Sequence, residues 1–547
     1  MVRRWSRVAC LTMCACAVPT LLDCQSSSEP PAPPTTTDGG APDVGSSEDV
    51  GGTNMDGALA DGPTESGSVP DVGAPSDALP PLDARSDIGP LPDTGTAADA
   101  ARDSPPTDGT GTTTGPILYP NDALHSPITS SVANVLRSIA AAVPTRNTHN
   151  FLKAGDPIMG DALGSPNQVI QGDFFGCVES PAPMKDLAAY ASLQATVDYF
   201  HQGSVGGRTP FAHVSQCTRE NLTSWDLLSQ KLLAPEITDT NPSLAFVMFG
   251  SVDIGNGGTF TPSPQVDWVK YRDYAQAMLD IEDTLIAAGV VPVLIAMPPR
   301  LSNGAPVVQV PTFVALTRAI AQGRQTPFVD FNQPMQKLAD KGLESDGLHI
   351  TQYEVSGSPR NCVFSDEGLK HGYNLMNLLG LQALERVKKV VTDGIASLET
   401  SASTLAGQGT PDAPFDIPAL PFSDLRDLAK ASSRALESYG GCGSTKEAGG
   451  EFIYRWNAPT STRVRAVVID KKGNPVAAHV YRLAGAPTAA SCVASQSSNP
   501  SNGGFSAGTL AAGTHYFAVD STAVPAGRAA EYMLVVIECD PTDNTCN

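Results

Sequence analysis

Short apolar strands alternate with amphipathic helices through the middle of the chain, and this alternation constrains the fold more than any other feature. Residues 244–249 and 290–297 are apolar runs, 327–331 form a third short run that is apolar except for Asp330, and 267–288 and 366–393 have helical periodicity. A strand that is apolar at every position must be covered on both faces, which is typical of a parallel sheet between two layers of helices. The pattern therefore predicts an α/β sandwich.

Two segments extend this pattern toward the N-terminus. Residues 126–142 begin at Ser126-Pro127, carry apolar side chains on one side and are predicted to form a helix. Residues 151–155 are predicted to form a strand that ends in the turn Gly155-Asp156. Ligands bind beyond the carboxyl ends of parallel strands, so we expect Asp156 at the edge of the sheet that holds the functional site.

We expect residues 250–253 and a loop with Asp346 and His349 at the same edge. A carboxylate three residues before an imidazole can orient the ring and balance its charge when the ring acts as a base. The same spacing also occurs in surface loops without such a role. The surrounding residues must therefore decide between the two interpretations.

These segments occur in the order and spacing of the sequence blocks of the SGNH, or GDSL-like, hydrolases, and the chain resembles that family over about residues 120–395. The matching segments are 151–156, 249–253, 290–299 and 346–349. The resemblance implies a flavodoxin-like three-layer α/β sandwich. It also implies hydrolysis of esters, including carbohydrate acetyl groups, lipid esters and thioesters, without a metal or any other cofactor.

The residues that carry the family's chemistry are largely replaced. The nucleophile position is Pro157, which has neither a hydroxyl nor a backbone N–H. The oxyanion glycine and asparagine fall on Asn221 and on Val252, whose side chain cannot donate a hydrogen bond. Only Asp346 and His349 remain of the triad, and loss of one oxyanion donor alone costs roughly 10²–10³ in rate. The resemblance thus implies a scaffold without ordinary serine esterase activity, its cleft lined by Asp156, Gly250, Ser251 and Asp253.

Other nucleophiles are conceivable. Ser165 and Ser251 lie near the replaced positions, but a nucleophile needs its base within about 3 Å, and a turn serine and a strand-end serine are the simpler interpretations. Asp156 could also form a covalent ester, but the missing oxyanion donors make it a weaker candidate than the serines. His125 and His213 have no partners at metal-ligand spacing, so no metal site is predicted.

The N-terminus is predicted to direct export. Residues 1–24 have a basic start and an apolar run too short to span a bilayer. The end of this run resembles a bacterial lipobox with Cys24 as the lipidated residue, although Asp23 replaces the usual small residue. Cys16 follows a small residue but lies early. We therefore expect a lipid anchor at Cys24, which would make the protein a bacterial envelope lipoprotein of the outer membrane or cell surface. Without the anchor, the protein would be secreted.

Residues 25–117 are predicted to form a disordered tether, because Gly, Pro, Ser, Thr, Ala and Asp cannot bury enough apolar surface to offset the entropy of ordering. Residues 25–116 contain 16 acidic and two basic side chains, and so account for −14 of the net charge of −22. The acidity belongs mainly to this segment and argues against a nucleic-acid partner.

The remaining chain divides into a hydrolase-like domain at 118–400, a connecting segment at 401–440 and a β-sandwich at 441–547. Short β-rich runs separated by Gly, Pro, Asn and Ser indicate the sandwich. Its sequence loosely resembles the jelly-roll-like pre-peptidase C-terminal domains of secreted enzymes. That resemblance implies either attachment to surfaces or glycans, or a spacer that stabilises its neighbour.

Seven cysteines follow the signal region, which suits an oxidising compartment. We expect Cys442 to pair with Cys492 and Cys539 with Cys546. A pair between Cys177 and Cys217 would leave Cys362 free. Spacing alone does not establish any of these pairs.

Three functions remain open at this point. The first is a surface-tethered hydrolase relative that has lost ester hydrolysis and binds an acylated glycan or lipid ligand. The second is an active carbohydrate or lipid esterase with an unrecognised nucleophile. The third is an envelope adhesive or structural protein that works through its β-sandwich.

Overall fold

The computed structural model describes residues 115–160, 173–255, 264–443, 446–497 and 505–546. The export signal, Cys24, nearly all of the tether and Ser165 lie outside the described residues, so those expectations stay predictions. Within the described ranges, no helix combines the length and the hydrophobicity that crossing a bilayer requires.

The first part of the described chain alternates helices and strands, as the sequence pattern predicts. Its helices are α1 (Ser130–Ala142), α2 (Gln194–Phe200), α3 (Ser224–Ser229), α4 (Leu233–Thr240), α5 (Pro264–Ala287), α6 (Val310–Arg324), α7 (Asn332–Met335) and α8 (Gly372–Val391). Its strands are β1 (Asn147–Gly155), β2 (Lys185–Asp186), β3 (Pro242–Met248), β4 (Val291–Ile295), β5 (Leu301–Ser302), β6 (Ala305–Pro306), β7 (Phe328–Val329), β8 (Glu354–Val355), β9 (Ser358–Pro359) and β10 (Cys362–Val363).

The central sheet has the strand order β1-β3-β4-β7, and all of its pairs are parallel. Alternate side chains of its strands enter two separate apolar clusters. Leu152 and Val247 belong to the cluster that includes residues of α5 and α6, whereas Phe151 and Phe246 belong to the cluster that includes residues of α1 and α8. Helices therefore cover both faces, and the predicted α/β sandwich with a parallel sheet is confirmed.

Two helices begin later than the sequence predicts. α1 starts at Ser130 because Ser126 pairs with β7, where its N–H donates to Phe328 O and its Oγ accepts from Phe328 N, both at 2.9 Å. α8 starts at Gly372 because the backbone of His371 is extended, with φ −116° and ψ 142°. A polar contact and a local extended residue override the helical pattern at these ends.

The second part is an all-β sandwich. Its strands are β11 (Phe415–Ile417), β12 (Phe422–Asp427), β13 (Phe452–Ala458), β14 (Thr462–Asp470), β15 (Ala478–Ala484), β16 (Cys492–Ser497), β17 (Phe505–Leu510), β18 (Gly513–Ser521) and β19 (Glu531–Glu538). One sheet has the order β11-β13-β18-β15-β16 and the other β12-β19-β14-β17. All pairs are antiparallel except β11 with β13. The predicted β-sandwich is confirmed.

The expectation that residues 401–440 only connect the two domains is wrong, because this segment supplies β11 and β12 to the two sheets. The apolar alternation of β12 is hidden by two buried polar residues. Arg426 Nε donates to Asp424 Oδ2 at 2.5 Å, and Tyr454 Oη donates to the same carboxylate at 3.0 Å. A strand whose buried charges pair with each other has no apolar signature in the sequence.

One sheet of the sandwich packs against the α/β domain. Leu425 of β12 and Val535 of β19 join the apolar cluster of α5 and α6. A Cβ atom on Gly323 would lie 2.7 Å from Leu425 Cβ, so the glycine permits this close approach. An ion pair crosses the contact as well, since Arg324 of α6 binds Glu531 of β19 (2.6 Å) in addition to Asp283 of α5 (2.7 Å).

Cys177 is bonded to Cys362, and Cys217 is free and buried, so the expected pairing of Cys177 with Cys217 is wrong. The reason lies in the sheet: Cys177 belongs to the apolar cluster on one face, and Cys217 to the cluster on the other. The pairs Cys442–Cys492 and Cys539–Cys546 agree with the sequence expectation.

Candidate active site

The first strand of the sheet ends at a turn that requires glycine. A Cβ atom on Gly155 would lie 2.4 Å from the carbonyl oxygen of Met248 in the neighbouring strand, so only glycine allows the two strands to approach. Asp156 follows, and its Oδ1 accepts a hydrogen bond from Ile158 N (3.2 Å), which caps a short 3₁₀ helix at Pro157–Met159. Pro157 is half-buried at the first position of that helix, where a missing N–H is tolerated.

Asp156 is fully buried, and both of its carboxylate oxygens have partners. Ser251 N donates to Oδ2 at 3.2 Å, while Oδ1 is held by Ile158 N. Burial raises the pKa of Asp156 to about 6, with a further contribution from the charge of Asp253, while Ser251 and the two N–H donors oppose the rise. A carboxylate without solvent exposure is poorly placed to attack a substrate, which argues against Asp156 as a nucleophile.

The second strand end forms a tight turn from Gly250 to Asp253. Gly250 has φ +127°, and a Cβ atom there would lie 2.7 Å from Met297 Sδ. Asp253 closes the turn, because its Oδ2 accepts from Gly250 N (3.1 Å) and its Oδ1 from Ser224 N (3.0 Å) and Ser224 Oγ (2.5 Å). Burial raises the pKa of Asp253 to about 6 against these hydrogen bonds.

The two remaining residues of this turn differ in their polarity. Val252 is half-buried and offers no side-chain donor. The hydroxyl of Ser251 is buried and lies beside the Asp156 carboxylate without the geometry of a hydrogen bond. The turn therefore has no side-chain amide at the position where the sequence resemblance expects a donor.

The loop from Asp346 to His349 is internally organised. Asp346 Oδ1 accepts from Leu348 N (2.9 Å) and His349 N (3.0 Å), and its Oδ2 accepts from His349 Nδ1 at 2.5 Å. Burial acts to raise the pKa of Asp346, but the hydrogen bonds from His349 and the backbone outweigh it and hold the pKa below its usual value. The carboxylate fixes a proton on Nδ1, so Nε2 is the ring nitrogen left to face a ligand.

Arg300 and Leu301 connect the two sides of the site. Arg300 Nη1 donates to Ser251 O at 2.5 Å, and Leu301 N donates to Gly347 O at 2.8 Å. Gly347 has φ +70°, and a Cβ atom there would lie 2.7 Å from the Cβ of Leu301. The Asp346–His349 loop therefore packs directly on the residues that follow β4.

A buried tyrosine lies at the same edge. The pKa of Tyr373 is raised well above its usual value by burial first, then by the charges of Asp173, Asp156 and Glu344. Glu344 is the residue that hydrogen bonds to His349 O through its backbone N–H (2.8 Å). Asp156 and the His349 loop are thus both close enough to Tyr373 to act on it electrostatically.

Asn221 lies on an exposed loop before α3 and has φ +59°. This left-handed conformation favours glycine and tolerates asparagine. The same loop contacts the end of β1, because Gly155 N donates to Cys217 O at 2.9 Å. Its backbone conformation would therefore accept the glycine that the sequence resemblance expects at this position.

Two contributors to the site have no signal in the family motif. Ser224 anchors Asp253 through its N–H and hydroxyl, and Arg300 binds the Ser251 carbonyl. Arg300 could have been found from its position directly after Pro298-Pro299, where β4 reaches the carboxyl edge. Ser224 could be found only as the residue that follows the N-cap of α3, where a capping box at Thr223 and Asp226 fixes the helix start.

The other histidines considered in the sequence bind single polar partners. His125 Nε2 lies 3.1 Å from Gln382 Oε1, and His213 Nε2 lies 2.9 Å from Glu236 Oε1.

Within the described ranges, one group has metal-ligand spacing: Cys539, Asp543 and Cys546. The two cysteines form a disulfide and Asp543 pairs with Arg465 at 2.8 Å, so this group does not fit a metal ion.

No protein-family model matches the chain, and no curated protein matches it either. Among solved structures, it is similar to a GDSL-like lipase from Bacteroides thetaiotaomicron, with 16% identity, a TM-score of 0.26 and coverage of 46% of this chain and 98% of that chain. It is also similar to a two-domain esterase active on acetylated mannans, with 13% identity, a TM-score of 0.25 and coverage of 76% and 99%. An acetylxylan esterase from Geobacillus stearothermophilus, solved as a catalytic mutant, has 14% identity, a TM-score of 0.27 and coverage of 43% and 93%. Such values leave activity and substrate open.

Proposed function

We propose that this protein is an exported, surface-tethered relative of the SGNH hydrolases whose cleft binds an acylated glycan or lipid ligand and no longer performs serine-dependent ester hydrolysis. The observation that carries the proposal is Pro157. It directly follows Gly155 and Asp156 at the end of β1, where the family has its nucleophile. Proline supplies neither the attacking hydroxyl nor the N–H that stabilises an oxyanion.

The surroundings of His349 support the loss of hydrolysis. Its Nδ1 binds Asp346, and within the described ranges no side-chain hydroxyl is hydrogen bonded to its Nε2. Val252 removes a second donor, so both the nucleophile and part of the oxyanion site are missing. Each missing donor costs roughly 10²–10³ in rate, and a lost nucleophile costs more.

The same residues support retention of ligand binding. The Asp346 carboxylate accepts hydrogen bonds from Leu348 N, His349 N and His349 Nδ1, and the last of these orients the ring, although the Asp346 and His349 side chains remain 48% and 35% exposed. An ordered polar pair at the carboxyl edge of a parallel sheet lies where such folds bind ligands. We infer that the cleft still recognises the acyl or sugar part of its ligand.

Hydrolysis and binding can be tested separately on the full chain. We expect no hydrolysis of 4-nitrophenyl acetate above that of His349→Ala, and no labelling by a fluorophosphonate. We also expect partly acetylated xylooligosaccharides to bind, with weaker binding to His349→Ala in calorimetric titrations. Fluorophosphonate labelling of the wild-type protein would overturn the loss of hydrolysis, and failure of every acylated glycan and lipid ester to bind would overturn the ligand-binding role.

The intact Asp346–His349 pair favours one alternative, an active esterase with a different nucleophile. Ser251 is the described candidate, because it lies beside Val252 and its hydroxyl has no hydrogen-bond partner, although that hydroxyl is buried and would have to become accessible to a substrate. Ser165 lies outside the described residues. If the wild-type protein hydrolyses the acetate, Ser251→Ala and Ser165→Ala identify the nucleophile by which of them abolishes labelling.

Surface attachment rests on Cys24 and can be tested without the rest of the proposal. We expect an alkyne-tagged palmitate to label the protein in a bacterial host, and Cys24→Ser to abolish the label. Cys16→Ser is the matched control, because it removes the neighbouring candidate. Labelling that depends on Cys16 would move the anchor, and absence of any label would indicate a secreted protein.

A further inference from the structure

We propose that the cleft holds its ligand through an anionic group, a carboxylate or a phosphate, which the Arg300 guanidinium and the His349 imidazole bind together. This inference rests on the proposed ligand-binding function and adds the chemical class of the group that is recognised.

Arg300 is fixed between the two sides of the cleft. Its side chain reaches the β3 side, where Nη1 donates to Ser251 O at 2.5 Å. Its backbone leads directly to Leu301, whose N–H donates to Gly347 O in the histidine loop at 2.8 Å. A guanidinium held at one nitrogen keeps its other N–H donors in a fixed plane, which suits a carboxylate or a phosphate.

Arg300 has no carboxylate partner among the residues that the structure describes. It is half-buried, and its recorded hydrogen bond goes to a neutral carbonyl. Burial lowers the pKa of Arg300, and the charge of Asp156 opposes this change. Asp156 cannot serve as a direct counter-ion, since it is fully buried and its oxygens accept N–H groups from Ile158 and Ser251.

The partial burial of the Arg300 guanidinium without a charged partner points to a ligand. A cation that is partly removed from water is stabilised when charged acceptors complete its hydrogen bonds. Lys270 adds positive charge nearby: its Nζ donates to Ile254 O on the same turn, and Arg300 is close enough to contribute to the lowering of its pKa, after burial and against Asp267. An anion in the cleft would meet the directed N–H donors of Arg300, which must outweigh the nearby charges of Asp156 and Asp253.

His349 completes the proposed site. Asp346 holds Nδ1, so Nε2 can donate to an anion when the ring is protonated, and the carboxylate balances the ring's charge. Acidic sugars supply a carboxylate, and phosphorylated polymers or lipids supply a phosphate. The two sources offer the same acceptor chemistry to Arg300 and are separated by experiment.

The test uses the full chain with ¹³C-labelled histidine, titrated with inorganic phosphate, with glucuronate and with glucose as the neutral probe. We expect at least one anion to shift the His349 signal in a saturable manner and glucose to leave it unchanged. A response to phosphate alone assigns the phosphate source, and a response to glucuronate alone assigns the carboxylate source.

Three variants test whether the anion binds to Arg300. Arg300→Gln should weaken anion binding about tenfold or more, because a charge-assisted hydrogen bond is lost, whereas Arg300→Lys should keep a measurable part of it. Arg272→Gln, which removes a surface arginine paired with Asp273, is the control and should bind like the wild-type protein. Thermal unfolding of each variant checks that the fold is retained.

The inference is overturned if neither anion gives a saturable shift, or if Arg300→Gln binds as tightly as the wild-type protein. Binding of neutral acetylated xylooligosaccharides, measured on the same variants, separates the two proposals. If those bind in a His349-dependent manner while the anions do not, the anionic class is wrong and the proposed binding function stands.

Discussion

Replacement of Asp156 by asparagine should make the protein's stability less dependent on pH. Burial raises the pKa of this carboxyl to about 6, and Asp253 contributes in the same direction. In the unfolded chain the pKa returns to roughly 3.9. A carboxyl with a raised pKa in the folded state stabilises the fold while it is protonated, and this contribution is lost as the pH rises through the folded pKa.

The size of this contribution follows from the two pKa values. Complete ionisation of Asp156 in the folded protein costs about 3 kcal/mol relative to the unfolded chain, and about 2 kcal/mol of this falls between pH 4.5 and pH 8. Asparagine carries no charge at either pH. Its amide also faces two N–H donors, from Ile158 and Ser251, so one hydrogen bond worth about 1 kcal/mol is lost at every pH.

Urea unfolding of the full chain at pH 4.5 and pH 8 measures the effect. The free energy of unfolding of Asp156→Asn, relative to wild type, should rise by about 2 kcal/mol between the two pH values. Other buried acids, such as Glu282, are present in both proteins and cancel in the difference. Asp198→Asn, at an exposed site, should show no such change. A pH-independent difference, or one of opposite sign, would refute the conclusion that burial raises the pKa of Asp156.

Three further predictions concern stability. Cys177→Ser should lower the free energy of unfolding by about 2–5 kcal/mol because it opens the long loop closed by Cys362, and non-reducing peptide mapping should recover Cys177 joined to Cys362 and not to Cys217. Gly250→Ala should lower the free energy of unfolding by about 1–3 kcal/mol, because φ is +127° and the new Cβ would contact Met297. The control Gly206→Ala, at φ +57° with open space around the new Cβ, should lower it by about 1 kcal/mol. Equal losses in urea unfolding would contradict the close contact at Gly250. Arg324→Ala should lower the free energy of unfolding by about 1–2 kcal/mol, because it removes the arginine partner of Asp283 and Glu531 while Lys471 still pairs with both, and an unchanged midpoint of thermal unfolding would contradict this.

The sequence predicts those parts of the fold that depend on burial of apolar side chains. The strands around Leu244 and Val291 are apolar throughout, so helices had to cover both faces of the sheet. The sequence does not predict β12, because Asp424 and Arg426 are buried as a pair and give the strand the polar composition that is typical of a loop. The sequence also does not predict the disulfide partner of Cys177, because the spacing of cysteines carries no information on which face of a sheet each one occupies.

The candidate site also has one part that the sequence predicts and one part that it does not. Asp346 and His349 are close in sequence, and their hydrogen bonds lie within one loop, so the sequence contains almost the whole arrangement. Arg300 belongs to no motif, and its role arises from two long-range contacts, with Ser251 and, through Leu301, with Gly347. A residue that is positioned by tertiary contacts has no local signature.

Restoring the replaced residues tests whether their replacement alone accounts for the proposed loss of ester hydrolysis. Pro157→Ser would return both a hydroxyl and a backbone N–H to the end of β1, and Val252→Asn would return an amide donor to the neighbouring turn. We expect the double variant to hydrolyse 4-nitrophenyl acetate measurably, with the asparagine contributing roughly 10²–10³ in kcat over Pro157→Ser alone. Asn221→Gly is compatible with the φ of +59° and restores the third replaced position if the double variant is inactive.

The control for restored hydrolysis is His349→Ala in the double variant, which should abolish the gained activity because the new hydroxyl would lose its base. Activity that survives His349→Ala would come from another site or from a surface nucleophile. A folded double variant without activity, also after Asn221→Gly, would mean that the turn at Asp156 and the loop at Asp346 do not bring a hydroxyl to Nε2. In that case Arg300 is the residue to change next, because its guanidinium binds Ser251 O and the following residue, Leu301, binds Gly347 O in the histidine loop.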